Sequence, residues 1–236
     1  MKNSVLIFSL FAMMGLISLS FITKPETTGQ PGAPVPATAE TKWTADKAHS
    51  SVKFTVTHLV ISEVEGSFKI FDGSMTNTKA DYSDAKISFS VDVASISTDN
   101  EGRDKHLKSD DFFSAETFPQ IKFESTSFAP QGGNKYKLSG NLTLKDVTKQ
   151  VTWDVTYGGT AVTRGTTKAG FKAKTTINRF DYNLKWDRAT EAGGLVVGQD
   201  VDIAGAAVFL ASDASGYVTG HIMTVDGGEF AMLGER

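Results

Sequence analysis

The sequence predicts an antiparallel all-β domain, a sandwich or a barrel, and three observations carry that prediction. Apolar and polar residues alternate along several short runs, which gives each run one dry face and one wet face. Glycine-bearing turn signals punctuate the chain at Asp72-Gly73, Gly132-Gly133-Asn134 and Gly158-Gly159. The folded part also lacks the continuous apolar runs between helices that a parallel α/β sheet would show.

The elements follow in order. Lys2 precedes an apolar run from Val5 to Ile22, interrupted by Ser9, Gly15, Ser18 and Ser20. A basic start, an apolar stretch and small residues at its end predict an export signal over 1–23. Roughly 20 apolar residues also suffice to span a bilayer, so an uncleaved anchor is the alternative. Residues 24–41 hold four of the six prolines and almost no large apolar side chain. They read as an extended, disordered linker, and the domain is expected to start near Lys42-Trp43.

Strict alternation then marks Val52 to His58, Ile87 to Val93, Tyr136 to Leu144 and Val151 to Tyr157. The segment 100–118 breaks the pattern: it is polar, with Phe112-Phe113 near its end. Long structured insertions in compact domains are often functional. Short helical turns capping one end, with both phenylalanines turned inward, are the expectation. A solvated loop pinned by the two rings is the alternative.

Composition narrows the function. The net charge of −3 offers no basic stripe for a nucleic-acid backbone. With no cysteine, disulfides, thiolate metal sites, a cysteine nucleophile and a lipidated N-terminal cysteine are excluded. His49, His58, His106 and His221 show no paired ligand spacing, so no metal site is predicted. No G-x-S-x-G elbow, HExxH or P-loop occurs, and no catalytic residues are assigned. Instead the chain carries 16 phenylalanines, three tryptophans and five tyrosines, many at alternating positions. They fit either a solid core or the wall of a barrel of about eight strands, whose interior is just wide enough for one small ligand.

A resemblance chooses between those two. Trp43, Asp46 and His49-Ser50 lead into Val52-x-Phe54-x-Val56-x-His58, then Val64-x-Gly66-x-Phe68 and Ala94-Ser95-Ile96-x-Thr98. Next come Arg103-Asp104-x-His106-Leu107, Asp111-Phe112-Phe113 and Phe118-Pro119-x-Ile121-x-Phe123-x-Ser125-Thr126. Gly140-Asn141-Leu142-Thr143, Val147-Thr148-Lys149 and Arg179-x-Asp181 complete the series. In this order, from 43 to 203, the chain resembles the YceI-like family, and the barrel domain is expected over 42–203. The resemblance implies a lipocalin-like antiparallel barrel of about eight strands that holds a polyisoprenoid, or a quinone, in an internal tunnel. It implies a periplasmic or secreted location and a homodimer, while the N-terminal run implies membrane proximity. Carried over by position, the ligand-binding wall would be Phe54, Val56, Phe89, Val91, Phe112, Phe113, Phe123, Leu142, Trp153 and Phe171. His58 is added as a residue that meets a polar head group or is a hydrogen-bonded structural histidine. Arg103 and Asp104 are expected to tie the insertion to itself or to the rim. No cofactor is required.

The C-terminus departs from that pattern. Residues 204–228, with Phe209-Leu210-Ala211-Ser212-Asp213 and Thr219-Gly220 before Val225-Asp226-Gly227-Gly228, resemble the end of a short-chain dehydrogenase, where a helix ends in FLASD. No glycine-rich dinucleotide turn accompanies them, and the spacing of Tyr82 with Lys86 reads as chance. The tail 204–236 is expected as an extension, with the stretch from Gln199 to about Leu210 closing the barrel. Two alternatives to a lipid carrier follow: a ligand-free extracytoplasmic stress or interaction module, and a dehydrogenase remnant.

Overall fold

The computed structural model describes residues 40–190 and 194–211. The expected signal or anchor, the linker up to residue 39 and the tail beyond Ala211 lie outside the described residues. Among the described residues the strands are β1 (Thr41–Ala45), β2 (Ser51–His58), β3 (Ser62–Phe68), β4 (Phe71–Asn77), β5 (Lys86–Asp92) and β6 (Ile96–Ser97). After the helix α1 (Glu101–Lys108) come β7 (Gln120–Pro130), β8 (Lys135–Leu144), β9 (Val147–Thr163), β10 (Thr166–Asn178) and β11 (Val197–Ala211).

The strands form a closed antiparallel barrel. Eight of them follow one another around the ring in the order β1-β4-β5-β7-β8-β9-β10-β11, and β11 returns to β1. Strands β2, β3 and β6 continue the courses of β1, β4 and β5. The pair Trp43↔Met75 between β1 and β4 is followed by Val52↔Phe68 between β2 and β3. Met75↔Ile87 is likewise followed by Phe68↔Ile96. The lipocalin-like barrel of about eight strands, with one short helix inserted, is thus the fold observed.

Closure falls to β11. One edge pairs with β10 from Lys168↔Leu210 to Asn178↔Asp200, and the other pairs first with β2 and then with β1 at Trp43↔Ala211. The β11–β1 pairing closes the eight-strand ring, so neither β1 nor β11 is left as an open edge of it. The strand runs without a break across position 203 and on to Ala211. The helix ending in FLASD that the dehydrogenase resemblance implies is therefore a strand up to Ala211. Small residues at 204–207 do not prevent this, because the two flanking strands supply the backbone partners.

Two expected turns are corrected. Asp72-Gly73 lies inside β4, and Gly158-Gly159 inside β9. At Gly73 a Cβ would press on the Phe89 ring, so glycine serves close approach rather than reversal. Gly159, at φ +122, sits where the register between β9 and β10 shifts, which is a bulge. Gly132 and Gly133 do form the β7–β8 turn, at φ +93 and +55.

The two ends are finished differently. At one end the loop 78–85 folds inward, and Asp84 accepts from Thr78 Oγ1 at 2.5 Å and from the amides of Thr78 and Lys79. The Thr78 hydroxyl first, then these amides, hold the Asp84 carboxyl down at about 2. Below that loop Tyr82 packs on Trp43, Tyr157 and Phe171. At the other end α1 starts at the N-cap Asn100, whose side chain accepts from the Arg103 amide. As expected, Arg103 and Asp104 tie this helix to the rim: Asp104 accepts from the Thr98 amide at 2.8 Å, and Arg103 Nε donates to Thr98 Oγ1 at 2.7 Å.

Candidate functional site

Two chambers lie inside the barrel, of about 150 Å³ and about 120 Å³. They meet at a belt of residues that line both: Val52, Phe89, Phe123, Trp153 and Ile203. The first extends toward α1 and the second toward the aromatic cluster under loop 78–85. Strand alternation explains the wall. Phe54 and Val56 on β2, Phe89 and Val91 on β5, and Val201 and Ile203 on β11 are each two positions apart and face inward together.

Glycines give the rings their room. Phe54 pairs across the ladder with Gly66, where a Cβ would overlap the ring, and a Cβ at Gly140 would overlap Phe123. Both phenylalanines therefore lie against a neighbouring strand instead of filling the centre. Phe54, Phe68 and Phe113 then run in sequence with centroids 5.8 and 6.2 Å apart.

Of the expected wall, Phe54, Val56, Phe89, Val91, Phe112, Phe113, Phe123, Leu142 and Trp153 line the first chamber. Phe171 lines the second. His58 lines neither: it shares a face with Val56 but lies one pair further along, opposite Ser62, beside the hairpin tip. Val52, Phe68, Leu107, Ile177, Leu184, Val201 and Ile203 also line the first chamber and were missing from the expected wall. Alternation would have found Val52, which precedes Phe54 by two. Leu184 lies in an irregular segment that carries no period.

Polar lining is sparse. Lys53, Lys122 and Arg179 border the first chamber and Ser51 the second. The two lysines are exposed side chains. Arg179 is 2% exposed and stacks 4.2 Å above the Phe180 ring. It donates to the carbonyls of Gly198, Leu184, Trp186 and Val197 at 2.5 to 3.0 Å. Burial pushes its pKa down, and the Asp187 charge opposes that. The guanidinium thus ties Leu184 and Trp186 to the start of β11 at Val197 and Gly198, beside the chamber. Trp186 completes the cover with Phe112 and His106, at centroid separations of 5.1 to 5.2 Å.

Among the described residues, no histidine, aspartate or glutamate lines either chamber. Tyr82, buried at the far end, shares a hydrogen bond with Thr160 at 3.0 Å, whereas Lys86 is exposed. Among the described residues no three His, Asp or Glu side chains come together as metal ligands. A partly buried charged cluster outside the chambers joins Asp46, His49 and Lys168. Asp46 accepts from Lys168 at 3.1 Å and shares a hydrogen bond with His49 at 2.8 Å. Burial would raise the Asp46 pKa, but the hydrogen bonds and charges of His49 and Lys168 prevail and lower it.

Comparison with known proteins agrees with this architecture. Residues 43–209 match the YceI-like domain. A UPF0312 protein of Staphylococcus aureus strain N315 is 38% identical over 175 residues, 73% of this chain and 99% of that protein. The crystal structure of Burkholderia cenocepacia BcnA superposes with a TM-score of 0.60 at 29% identity, covering 70% of this chain and 98% of that one. A polyisoprenoid binding domain from Saccharophagus degradans shares the fold at a TM-score of 0.52 and 16% identity, over 72% of this chain and 98% of that one.

Proposed function

The chain belongs to the YceI-like domain family, and from that premise we propose that its barrel binds an isoprenoid or similar long apolar lipid, including a prenylated quinone, without catalysing a reaction. The observation that carries this reading is the pair of dry chambers in line along the barrel. A dry cavity of about 150 Å³ holds a benzene-sized guest, so successive chambers suit successive segments of one chain. Each buried CH₂ contributes about 0.8 kcal/mol, and shape with hydrophobicity suffices for tight binding. The same fold serves a domain described as polyisoprenoid-binding. The apolar run from Val5 to Ile22 supports a periplasmic or secreted location, where a lipid needs a carrier to cross water.

The test is uptake by the purified full chain, read by displacement of an apolar fluorophore with a prenylated quinone. One lipid per chain is expected. Leu142→Trp, which fills the first chamber, is expected to weaken uptake by about tenfold, or about 1.4 kcal/mol. A chain that takes up no lipid would instead fit a ligand-free extracytoplasmic stress or interaction module.

A further inference from the structure

Among the described residues that line the chambers, one buried side-chain polar group has no hydrogen-bond partner in the protein. Trp153 Nε1 is buried with no hydrogen-bond partner, and Trp153 belongs to the belt where the chambers meet. The indole stands on β9 opposite Leu138, with the Phe123 ring edge-on to it at 5.9 Å. Elsewhere in this barrel a buried indole is satisfied: Trp43 Nε1 donates to Asn77 Oδ1 at 2.6 Å. Buried N–H groups in folded proteins nearly always find an acceptor.

A lone water would not serve at the belt. Ordered buried waters make about three hydrogen bonds, whereas Val52, Phe89, Phe123 and Ile203 offer no second polar side chain. The acceptor has to arrive with the cargo. Resting on the lipid-binding reading above, the geometry points to Trp153 Nε1–H as the donor to an oxygen carried by that lipid. Chambers on both sides of the belt place this oxygen between two apolar parts of the molecule. A ring carbonyl bearing a prenyl tail, or an ester within a long chain, has that form. A terminal carboxylate does not, since one neutral donor cannot offset the desolvation of a charge. The barrel thus prefers an oxygenated lipid to a bare isoprenoid hydrocarbon of the same length.

The experiment compares a prenylated quinone with an isoprenoid hydrocarbon of matched carbon number on the purified full chain and on Trp153→Phe. The wild-type chain is expected to bind the quinone about tenfold more tightly, the order of one hydrogen bond to an otherwise unpaired buried donor. Trp153→Phe is expected to bind the two lipids with equal affinity, the preference for the quinone being lost. In the wild-type chain, the Trp153 indole N–H resonance should move downfield with the quinone and stay in place with the hydrocarbon, a readout that needs no variant. Equal affinities in the wild-type chain, a preference that survives Trp153→Phe, or an unmoved resonance overturns the inference and leaves lipid binding standing. Binding of neither lipid overturns both.

Discussion

The two ends of the barrel use aromatic residues in opposite ways. Under loop 78–85 four of the aromatics carry polar tips, and the tips are tied: Trp43 to Asn77, Tyr136 to the Asp81 carbonyl, and Tyr82 and Tyr157 to Thr160. Phe128 and Tyr136 stack there at 4.5 Å with an interplanar angle of 1°. Toward α1 the aromatics are mostly phenylalanines, Phe54, Phe68, Phe112 and Phe113, and they surround a chamber. Hydroxyls fix a ring to one place, so the first end is a plug. Rings without hydroxyls are held by packing alone and can face a guest at little cost. The stability of the barrel should therefore reside in the plug and in the fastenings of the cover, and its function in the phenylalanine wall.

Three substitutions test that division, from the largest effect downward. Tyr82→Ala in the plug should destabilise the barrel by about 3–5 kcal/mol, the range for removing a buried aromatic. Phe54→Ala in the wall should cost about 1–2 kcal/mol less, because space already adjoins that ring. Urea midpoints for the two variants measure the difference, and equal losses would break the comparison. Arg179→Ala leaves the carbonyls of Gly198, Leu184, Trp186 and Val197 without their donor. It should cost about 1–3 kcal/mol and open Leu184 and Trp186 to hydrogen exchange ahead of the plug.

The smallest effect concerns pH. The folded-state pKa values of Asp46 and Asp84 are both depressed, Asp84 to about 2. A depressed carboxylate stabilises above its unfolded value of 3.8 and loses that contribution as pH falls through the folded value. Stability should thus hold at pH 5 and decline between about 4 and 2. Asp46→Asn should cost about 1–2 kcal/mol at pH 7 and progressively less below pH 4. A gap between Asp46→Asn and the parent that stays constant from pH 7 to pH 3 would contradict the assignment.

Legibility in the sequence followed the same divide. Alternation marks β2, β5, β8 and the middle of β9, since those strands have one wet and one dry face. It fails at Gly73 and Gly158-Gly159, where glycine accommodates a ring or a bulge inside a strand but reads like a turn. Most of the phenylalanine wall was legible because strand parity and the family resemblance pointed to the same positions. Leu184 and the Arg179 fastening were not, because their roles arise from an irregular segment folded over the barrel end. The length of β11 was half-legible: small residues at 204–207 weaken its strand pattern, and only pairing with β10, β2 and β1 makes it a strand through Ala211. Whether a buried indole has a partner cannot be read from any one-dimensional pattern, since it depends on what stands opposite in space.

The most direct measurement of lipid binding is native mass spectrometry of the full chain purified from cells, followed by organic extraction of any bound mass. A stoichiometric apolar species, released into the organic phase and carrying an internal oxygen, is the predicted result. A protein of bare polypeptide mass that also takes up no added prenylated quinone would contradict the account.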